Sequence, residues 1–443
     1  MKPPILSKLL LSIGTFLSKD SSFQLLKEIE PVETMSAEAV RELQIERLKD
    51  MLQLCNDHVP YYTQLFKERE FVPSQLQSIS DLKKLPIINK KIIRQNSEGL
   101  INQTYSKDDM VASATGGSTG DPLNFYREKN YIQRGAAGMW RAFLRCGWQP
   151  GDNVAYVWGC SPDYYSKSTF GRVLRAILNR IWWFDTFNAS EENLAHWVKV
   201  IKRVKPTVMF GYASSLDQLA QYVNSHQIDI SSIKGVYSTA ETLFDNARAN
   251  MEKAFGCKVY NFYGSCEVLN ISCECPKGKM HINSDFVVVE QGESVDETHD
   301  EMIVTSLWNR AMPFIRYSNG DMGKLSDEIC SCSLPYPLLE LNIGRVGNII
   351  RFPNGNSVSG HYFEYFIYGT DGIKLFQIHQ KSTNNITLRI VKDEAFGAKT
   401  ENKLGEVEQR LKEKGGNVNV EIEYVNKIPL TRQGKHLYII SDL

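Results

Sequence analysis

The sequence has 443 residues, with 51 Lys and Arg against 51 Asp and Glu, and 42% of its residues are hydrophobic. This length predicts two or three domains, or one large domain with a smaller one attached. Zero net charge argues against a protein that binds nucleic acid along its whole surface, and the lack of a run of about eighteen apolar residues predicts no membrane span.

The apolar N-terminal segment, residues 5–18, predicts an amphipathic first helix. Lys8 interrupts the apolar run and no small-residue cleavage site follows Ser18, so a signal peptide is the less favoured interpretation. Weak peripheral contact with a membrane through residues 1–20 is an alternative role for such a helix. Residues 36–57 then carry apolar side chains at helical spacing, and we expect this helix to end before Pro60.

From about residue 105 to residue 290, short apolar strands alternate with amphipathic helices. Strands are predicted at 154–158, 207–212, 235–239 and 258–263, and a helix at 191–204. This alternation predicts βαβ units and a largely parallel sheet, in which ligands bind beyond the carboxyl ends of the strands. We therefore expect functional loops after Thr239 and Tyr263.

The last hundred residues predict a separate unit with the order β-β-α-β. The strands are expected at 373–380, 385–392 and 418–425, and the helix at 401–414. The predicted fold class is therefore α/β. A large N-terminal domain, residues 1–343, contains parallel sheets, helices and a β-rich part, and a small α+β C-terminal domain covers residues 344–443.

Residues 113–122 form a glycine-rich loop with the sequence SATGGSTGDP. Glycine permits the backbone angles and the close approach that phosphate binding requires, and Ser and Thr add hydroxyl donors. The loop lacks the Lys-Ser/Thr ending of a Walker A motif. A flexible surface linker has a similar composition, so the loop alone leaves both interpretations open.

Together with this loop, five further blocks are similar, in residue type and in order, to the motifs of AMP-forming ligases that produce acyl-adenylates. They lie at 237–242, 261–267, 316–321, 344–345 and 429–435. The resemblance is strongest to the phenylacetate–CoA ligase-like and CapK-type branch and spans nearly the whole chain. It implies an enzyme that activates an organic acid with ATP and closes a mobile C-terminal domain over the site.

The resemblance also implies a role for individual residues. Thr115, Gly116, Gly117, Ser118, Thr119 and Gly120 would hold phosphate, and Ala240, Glu241, Tyr263, Gly264, Asp321 and Arg345 would bind the rest of the nucleotide. Glu267 would bind Mg²⁺, and Lys435 with Thr119 would stabilise the charge that develops during transfer. Taken singly, each of these residues has an ordinary structural explanation, and only their joint order supports the functional one.

A second pattern joins Cys275 and His281 to the pair Cys330 and Cys332. Three thiolates and one imidazole match a closed structural zinc site, and the same layout occurs in the branch that the sequence resembles. Cys273 is an alternative ligand to Cys275. The alternative without metal is a set of buried free cysteines beside a surface histidine.

The sequence identifies neither the acid nor the acceptor. We favour coenzyme A as the acceptor; the alternative is an amine or hydroxyl of a sugar in capsule or surface-polysaccharide synthesis. A catalytically silent nucleotide-binding homologue is the non-enzyme alternative, supported by Gly116 in place of the usual Ser and by Asn348 in place of a frequent Asp. We expect a cytoplasmic protein with small-molecule substrates and no nucleic-acid partner; the oligomeric state is left open.

Overall fold

The structure is a computed structural model that describes residues 5–115, 123–159, 168–294, 300–345, 349–355, 357–359, 366–368, 370–431 and 436–443. Several residues predicted to be functional fall outside these ranges and stay predictions: Gly116, Gly117, Ser118, Thr119, Gly120, Asn348 and Lys435. For Arg345, only the backbone is described.

The N-terminal part of the chain is helical. Its helices are α1 (Ile5–Ser18), α2 (Ser22–Ile29), α3 (Ala37–His58), α4 (Pro60–Glu68) and α5 (Lys90–Gln95). The Ser36 side chain caps α3 by accepting a hydrogen bond from the Ala39 amide. This helix ends before Pro60, as predicted, and Pro60 begins α4 because the first helical position tolerates a missing N–H. None of the helices among the described residues is both long enough and apolar enough to cross a bilayer.

A hairpin and an eleven-stranded sheet follow. The hairpin pairs β1 (Met110–Ala114) with β2 (Asn124–Glu128). The sheet strands are β3 (Val154–Trp158), β4 (Ile181–Asp185), β5 (Val208–Tyr212), β6 (Gly235–Thr239), β7 (Lys258–Tyr263), β8 (Ser272–Glu274), β9 (Met280–Ile282), β10 (Val287–Ser294), β11 (Asp300–Ser306), β12 (Tyr317–Ser326) and β13 (Leu338–Arg345). The accompanying helices are α6 (Lys129–Leu144), α7 (Thr169–Asn179), α8 (Glu191–Val204), α9 (Ala213–Ser225) and α10 (Asp245–Phe255).

The sheet has a parallel half and an antiparallel half. Strands β4, β3, β5, β6 and β7 are neighbours in that order and all pair in parallel. From β7 onward the order is β8, β9, β13, β12, β11 and β10, and these pairs are antiparallel. The predicted parallel sheet is confirmed, and the β-rich part continues the same sheet.

The parallel strands are apolar on both faces because each face packs against helices. Tyr156 and Phe210 belong to the core on one side, whereas Ala155, Val157 and Met209 belong to the core on the other. Successive side chains of a strand point to opposite faces, so a doubly covered strand reads as a continuous apolar run. The second core also includes residues of the C-terminal sheet, so the two sheets share packed apolar surface.

The C-terminal part forms its own small sheet. A short hairpin, β14 (Ile349–Arg351) with β15 (Ser357–Ser359), precedes β16 (Ile373–Ser382), β17 (Asn385–Lys392), α11 (Ala398–Gly415), β18 (Asn419–Tyr424) and β19 (Ile439–Ser441). The four-stranded sheet has the order β18, β17, β16, β19. Helix α11 buries Leu404, Val407 and Leu411 at helical spacing. The predicted β-β-α-β order and the α/β fold class with a β-rich C-terminal unit are confirmed.

Candidate nucleotide and metal sites

The carboxyl edge of the parallel strands carries a compact polar cluster. The Tyr263 hydroxyl, at the end of β7, donates a hydrogen bond to the Asp321 carboxylate at 2.7 Å. The Asn319 amide donates to the Tyr263 hydroxyl oxygen at 2.8 Å and to the same Asp321 carboxylate at 2.9 Å. The Tyr263–Asp321 cluster, defined by these three residues, joins two predicted motifs that are far apart in the chain.

Strand β12 directs alternate side chains to this region. Tyr317, Asn319 and Asp321 are two residues apart on this strand, and the last two both contact the Tyr263 hydroxyl. The Tyr317 hydroxyl is fully buried and donates to Oε1 of Glu267 at 2.9 Å. Sequence reasoning assigned no role to Tyr317 or Asn319; their signal was the period of two within the block at 316–321.

The loop after β7 brings Glu267 into contact with Tyr317. Gly264 allows the chain to turn here, because a Cβ at this position would lie 3.0 Å from the Asn270 backbone nitrogen. Ser265 closes the turn by accepting a hydrogen bond from the Val268 amide at 2.9 Å. Glu267 is 5% exposed, and its Tyr317 contact fixes the orientation of the carboxylate. A buried, oriented carboxylate is a suitable ligand for Mg²⁺.

The base of the glycine-rich loop lies beside the same turn. The Thr115 amide donates to the Leu123 carbonyl at 3.0 Å, and the Thr115 hydroxyl accepts from the Leu123 amide at 2.9 Å. Arg127, on β2, donates to the Ser113 hydroxyl at 2.8 Å and to the Cys266 carbonyl at 3.5 Å. Arg127 thus links the start of the loop, at Ser113, to Cys266, the residue that precedes Glu267.

The backbone of Arg345 lies opposite Asp321. The two residues are paired in the register of β12 and β13, at the end of β13. Thus the blocks at 344–345, 261–267 and 316–321 meet at one place. Nothing in the sequence outside the motifs places them together.

Glu241 connects the large sheet to the C-terminal unit. One carboxylate oxygen accepts a hydrogen bond from the Ser214 amide at 2.8 Å, and the other accepts from the His436 amide at 3.1 Å. The preceding residue, Ala240, has a left-handed backbone with φ of 67°, which is uncommon for a side chain of this kind. Because His436 follows Lys435 directly, this contact fixes the chain next to the predicted catalytic lysine.

An aromatic contact supports the same junction. The Phe244 ring stacks on Tyr368 at a centroid distance of 4.4 Å and meets Tyr438 edge-on at 5.6 Å. The Tyr368 hydroxyl donates to Asp217 of α9 at 2.8 Å. Burial raises the pKa of Asp217, and hydrogen bonds from Asn250 and Tyr368 partly offset that shift. A buried acceptor and a ring stack therefore hold the two units together.

The predicted zinc ligands converge. The potential ligand atoms of Cys275, His281, Cys330 and Cys332 all lie within 4.8 Å of one another. The Cys275 and Cys330 sulfurs are 3.7 Å apart, and the Cys332 sulfur is 3.2 Å from Nε2 of His281. This group, the Cys–His cluster, has the donor set of a closed tetrahedral zinc site.

The surroundings of the Cys–His cluster fit a metal as well. Nδ1 of His281 donates a hydrogen bond to the Tyr336 carbonyl at 2.9 Å, which leaves Nε2 available as a ligand. Cys273 lies in the buried core instead and is not a member of the group. Of the two sequence-based alternatives, the geometry thus favours Cys275 over Cys273.

Comparison with known proteins places these motifs in a family. The family described as AMP-binding enzyme matches residues 33–294, which is more than half of the chain, and the CapK C-terminal domain matches residues 350–442. Protein CapK of Staphylococcus aureus is 26% identical over 411 residues, which cover 91% of this chain and 89% of CapK. A phenylacetate-coenzyme A ligase of Pseudomonas putida is 26% identical over 310 residues, which cover 67% of this chain and 69% of that protein.

Solved structures agree with the fold. The crystal structure of 2-hydroxyisobutyryl-CoA ligase in the postadenylation state matches with a TM-score of 0.74 at 20% identity, covering 93% of this chain and 91% of that one. The same enzyme in the thioesterification state matches with a TM-score of 0.61 at 21% identity, with the same coverage of 93% and 91%. The chain therefore belongs to the AMP-binding enzyme family, in the branch that contains CapK and the phenylacetate-coenzyme A ligases, and it is an AMP-forming ligase.

Proposed function

We propose that this ligase activates a small organic acid as its acyl-adenylate and transfers the acyl group to coenzyme A. The observation that carries the proposal is the Tyr263–Asp321 cluster with the backbone of Arg345 opposite it. Three sequence blocks predicted to bind one nucleotide meet there, at the carboxyl edge of the parallel strands.

In the first half-reaction, a carboxylate oxygen of the acid attacks the α-phosphorus of ATP. The bond between the α-phosphorus and the oxygen that bridges it to the β-phosphorus breaks. Pyrophosphate leaves, and no proton is required. Tyr263 would stack on adenine, and Asp321, oriented by Tyr263 and Asn319, would accept hydrogen bonds from the ribose hydroxyls. Glu267 would hold Mg²⁺, which neutralises phosphate charge when it is bound.

In the second half-reaction, the thiol of coenzyme A attacks the acyl carbonyl carbon and AMP departs, with loss of the thiol proton. The proposal places residues 1–343 in a domain that binds ATP and acid, and residues 344–443 in a mobile domain that carries Lys435. The described contact between Glu241 and His436 supports an arrangement with Lys435 close to the nucleotide.

We further propose that the Cys–His cluster binds one structural Zn²⁺. Two of its ligands flank the turn of β8 and β9, and the other two follow β12, so the metal would join two parts of the β-rich region. Its role is to hold these strands and not to take part in the reaction. A cytoplasmic location is proposed as well, since none of the eight cysteines in the described part of the chain forms a disulfide and thiols persist in reducing compartments.

A second acceptor class is worth testing because the match to CapK covers 91% of the chain and the CapK C-terminal domain matches residues 350–442. In this alternative, the acyl group passes to an amine or hydroxyl of a sugar in capsule or surface-polysaccharide synthesis. The first half-reaction is the same in both cases, so only the product distinguishes them.

The experiment is a panel of organic acids with ATP and Mg²⁺, followed by pyrophosphate release. We expect one class of acid to stimulate release, and we expect Lys435→Ala and Glu267→Gln to reduce it by about a hundredfold or more. Lys427→Ala, an exposed lysine of the same domain, is the matched control. Absence of acid-dependent release with the wild type over a broad panel would favour the silent homologue.

Product mass then identifies the acceptor. The activated acid is offered coenzyme A in one reaction and amino sugars in another. A mass increase of coenzyme A by the acyl group supports the main proposal, whereas an acylated sugar without any thioester supports the alternative.

A further inference from the structure

Arg127, on β2, lies between two segments of the proposed nucleotide site. Its Nε donates a hydrogen bond at 2.8 Å to the Ser113 hydroxyl, at the start of the glycine-rich loop. Its Nη1 donates at 3.5 Å to the carbonyl of Cys266, the residue before Glu267. The guanidinium group therefore bridges the strand that leads into the loop and the turn that carries the proposed Mg²⁺ ligand.

No carboxylate among the described residues forms an ion pair with Arg127. Its two hydrogen-bond partners are uncharged oxygens, and within the described ranges nothing accepts a hydrogen bond from Nη2. The two arginines of the following helix, α6, differ in this respect, because Arg134 and Arg141 each pair with an acid. Arg127 is half-buried, and a partly desolvated cation without a counterion is suited to an anionic ligand.

The sequence of the glycine-rich loop gives a reason for a cation at this place. Residues 113–122 contain no Lys or Arg, and Asp121 adds a negative charge. Such a loop offers backbone N–H groups and hydroxyls to a polyphosphate but no cationic side chain. Adenylation increases the negative charge on the departing pyrophosphate, which a fixed cation would stabilise. Arg127 is the first cationic residue after the loop.

The position of Arg127 relative to Glu267 indicates which part of the nucleotide it meets. Burial raises the pKa of Tyr131, and among the smaller effects the charge of Arg127 lowers this pKa whereas that of Glu267 raises it. Both charges therefore lie near the Tyr131 hydroxyl, which donates to the Glu267 carbonyl at 3.5 Å. The proposed function assigns the nucleoside to the Tyr263–Asp321 cluster and Mg²⁺ to Glu267, so Arg127 lies on the phosphate side of the site.

We propose that Arg127 is a catalytic residue that binds the two outer phosphates of ATP and stabilises pyrophosphate as it leaves. This assignment rests on the proposed function, since it requires ATP in the site. The electron pair of the breaking α-phosphorus–oxygen bond passes to pyrophosphate, and Arg127 balances part of that charge without giving up a proton. Because the contacts with Ser113 and Cys266 exist before ATP binds, the guanidinium group is oriented in advance.

The test is isothermal titration calorimetry of the full-length protein with ATP, with pyrophosphate and with AMP, each in the presence of Mg²⁺. Arg127→Met should weaken the binding of ATP and of pyrophosphate by about tenfold to a hundredfold, because charge-assisted hydrogen bonds are lost. AMP lacks both outer phosphates, so its affinity should stay the same, which also shows that the variant is folded. Arg127→Lys keeps the positive charge and should bind ATP more tightly than Arg127→Met does.

Two further variants complete the experiment. Arg127→Gln keeps a side-chain donor for Ser113 but no charge, so it should lose ATP affinity as Arg127→Met does. Arg69→Met removes an exposed arginine that follows α4, and this matched control should bind all three ligands as the wild type does.

The possible failures can be told apart. If Arg127→Met and Arg127→Gln lost affinity for ATP and AMP equally, or kept their affinity for ATP, the assignment of Arg127 would be overturned. If the wild type itself bound no ATP, the proposed function would be overturned together with this assignment.

Discussion

The Tyr263–Asp321 cluster and the Cys–His cluster are built from the same two stretches of chain, but they are held together differently. Tyr263 ends β7 and His281 lies in β9, while Asp321 lies in β12 and the pair Cys330 and Cys332 follows that strand. In the first cluster a hydroxyl and an amide donate to a carboxylate, so donors and an acceptor are already paired. In the second, sulfur and nitrogen ligand atoms face one another, and a cation would balance them.

This difference shows that two clusters of polar side chains on one sheet can differ in whether they need a bound ligand to be stable. The Tyr263–Asp321 cluster should keep its shape without any ligand, whereas the Cys–His cluster should depend on a metal for its stability. The two clusters can therefore be perturbed separately, one through catalysis and the other through folding.

The largest effect is expected from Cys330→Ser combined with Cys332→Ser. Bound zinc should fall from about one equivalent to nearly none, and the free energy of unfolding should fall by about 5 kcal/mol or more, because structural zinc contributes strongly to folding. Elemental analysis and denaturant titration measure these quantities. Cys266→Ser, at an exposed cysteine outside the cluster, should change neither. If the purified wild-type protein contained no zinc, the zinc proposal would be wrong.

A smaller effect, on activity alone, is expected from Asp321→Ala. The value of kcat/KM for ATP should fall about a hundredfold, or about 3 kcal/mol, because the carboxylate is lost from the nucleotide site together with the orientation of Tyr263 and Asn319. Zinc content should stay at the wild-type level. Asp229→Ala, at an exposed loop carboxylate, serves as the control. If Asp321→Ala stayed within twofold of the wild type, the assigned ribose contact would be wrong.

Acid should weaken a third region, the C-terminal unit around the buried His436 side chain, which contacts the Phe376 carbonyl, and neither cluster accounts for that effect. Burial lowers the pKa of His436 to about 4. The unfolded chain then binds the proton more readily than the folded one, so stability is complete above the ordinary pKa of about 6.5 and is lost as pH falls towards 4. We expect a loss of about 2 kcal/mol between pH 7 and pH 5 that His436→Gln lacks. If the free energy of unfolding depended on pH in the same way in the wild type and in His436→Gln, His436 would not be the group responsible.

The smallest effect is expected from Tyr317→Phe, which tests a residue that neighbours the Tyr263–Asp321 cluster in the chain but does not belong to it. Loss of the hydroxyl that orients Glu267 should lower kcat/KM about tenfold, or about 1.4 kcal/mol, and raise the Mg²⁺ concentration needed for half-maximal rate. Tyr222→Phe, on α9, is the control. If the Mg²⁺ dependence of the rate were unchanged, the assignment of Glu267 as a Mg²⁺ ligand would be wrong.

Much of the fold follows from the sequence because its strands are buried on both faces. Strands β3, β6 and β7 have the predicted bounds, and the helix α8 does as well. In contrast, β8 and β9 have three residues each, which is too short for a periodic pattern. Their pairing joins the parallel half of the sheet to the antiparallel half, so the sequence could not reveal that the two halves are continuous.

The residues that meet at the candidate site could be predicted where side chains make the contacts. They could not be predicted where backbone groups make them. Tyr263, Asp321 and the four residues of the Cys–His cluster converge as the motif order and spacing indicated. The contacts of Glu241 could not be predicted, because its partners are the amides of Ser214 and His436 and every residue except proline offers such a donor. The exposed apolar side of α1 needed the structure too, since periodicity alone does not tell which side of a helix is covered.

The Glu241 contact has a consequence for how sequences of this kind can change. The two partners described above are main-chain groups, so a substitution at Ser214 or His436 that preserves the local backbone keeps both donors. Proline alone would delete a donor. The contact between the two units therefore depends on side-chain identity at only one of these three positions, and a relative whose residues differ at 214 and 436 can still form it with an acid at position 241.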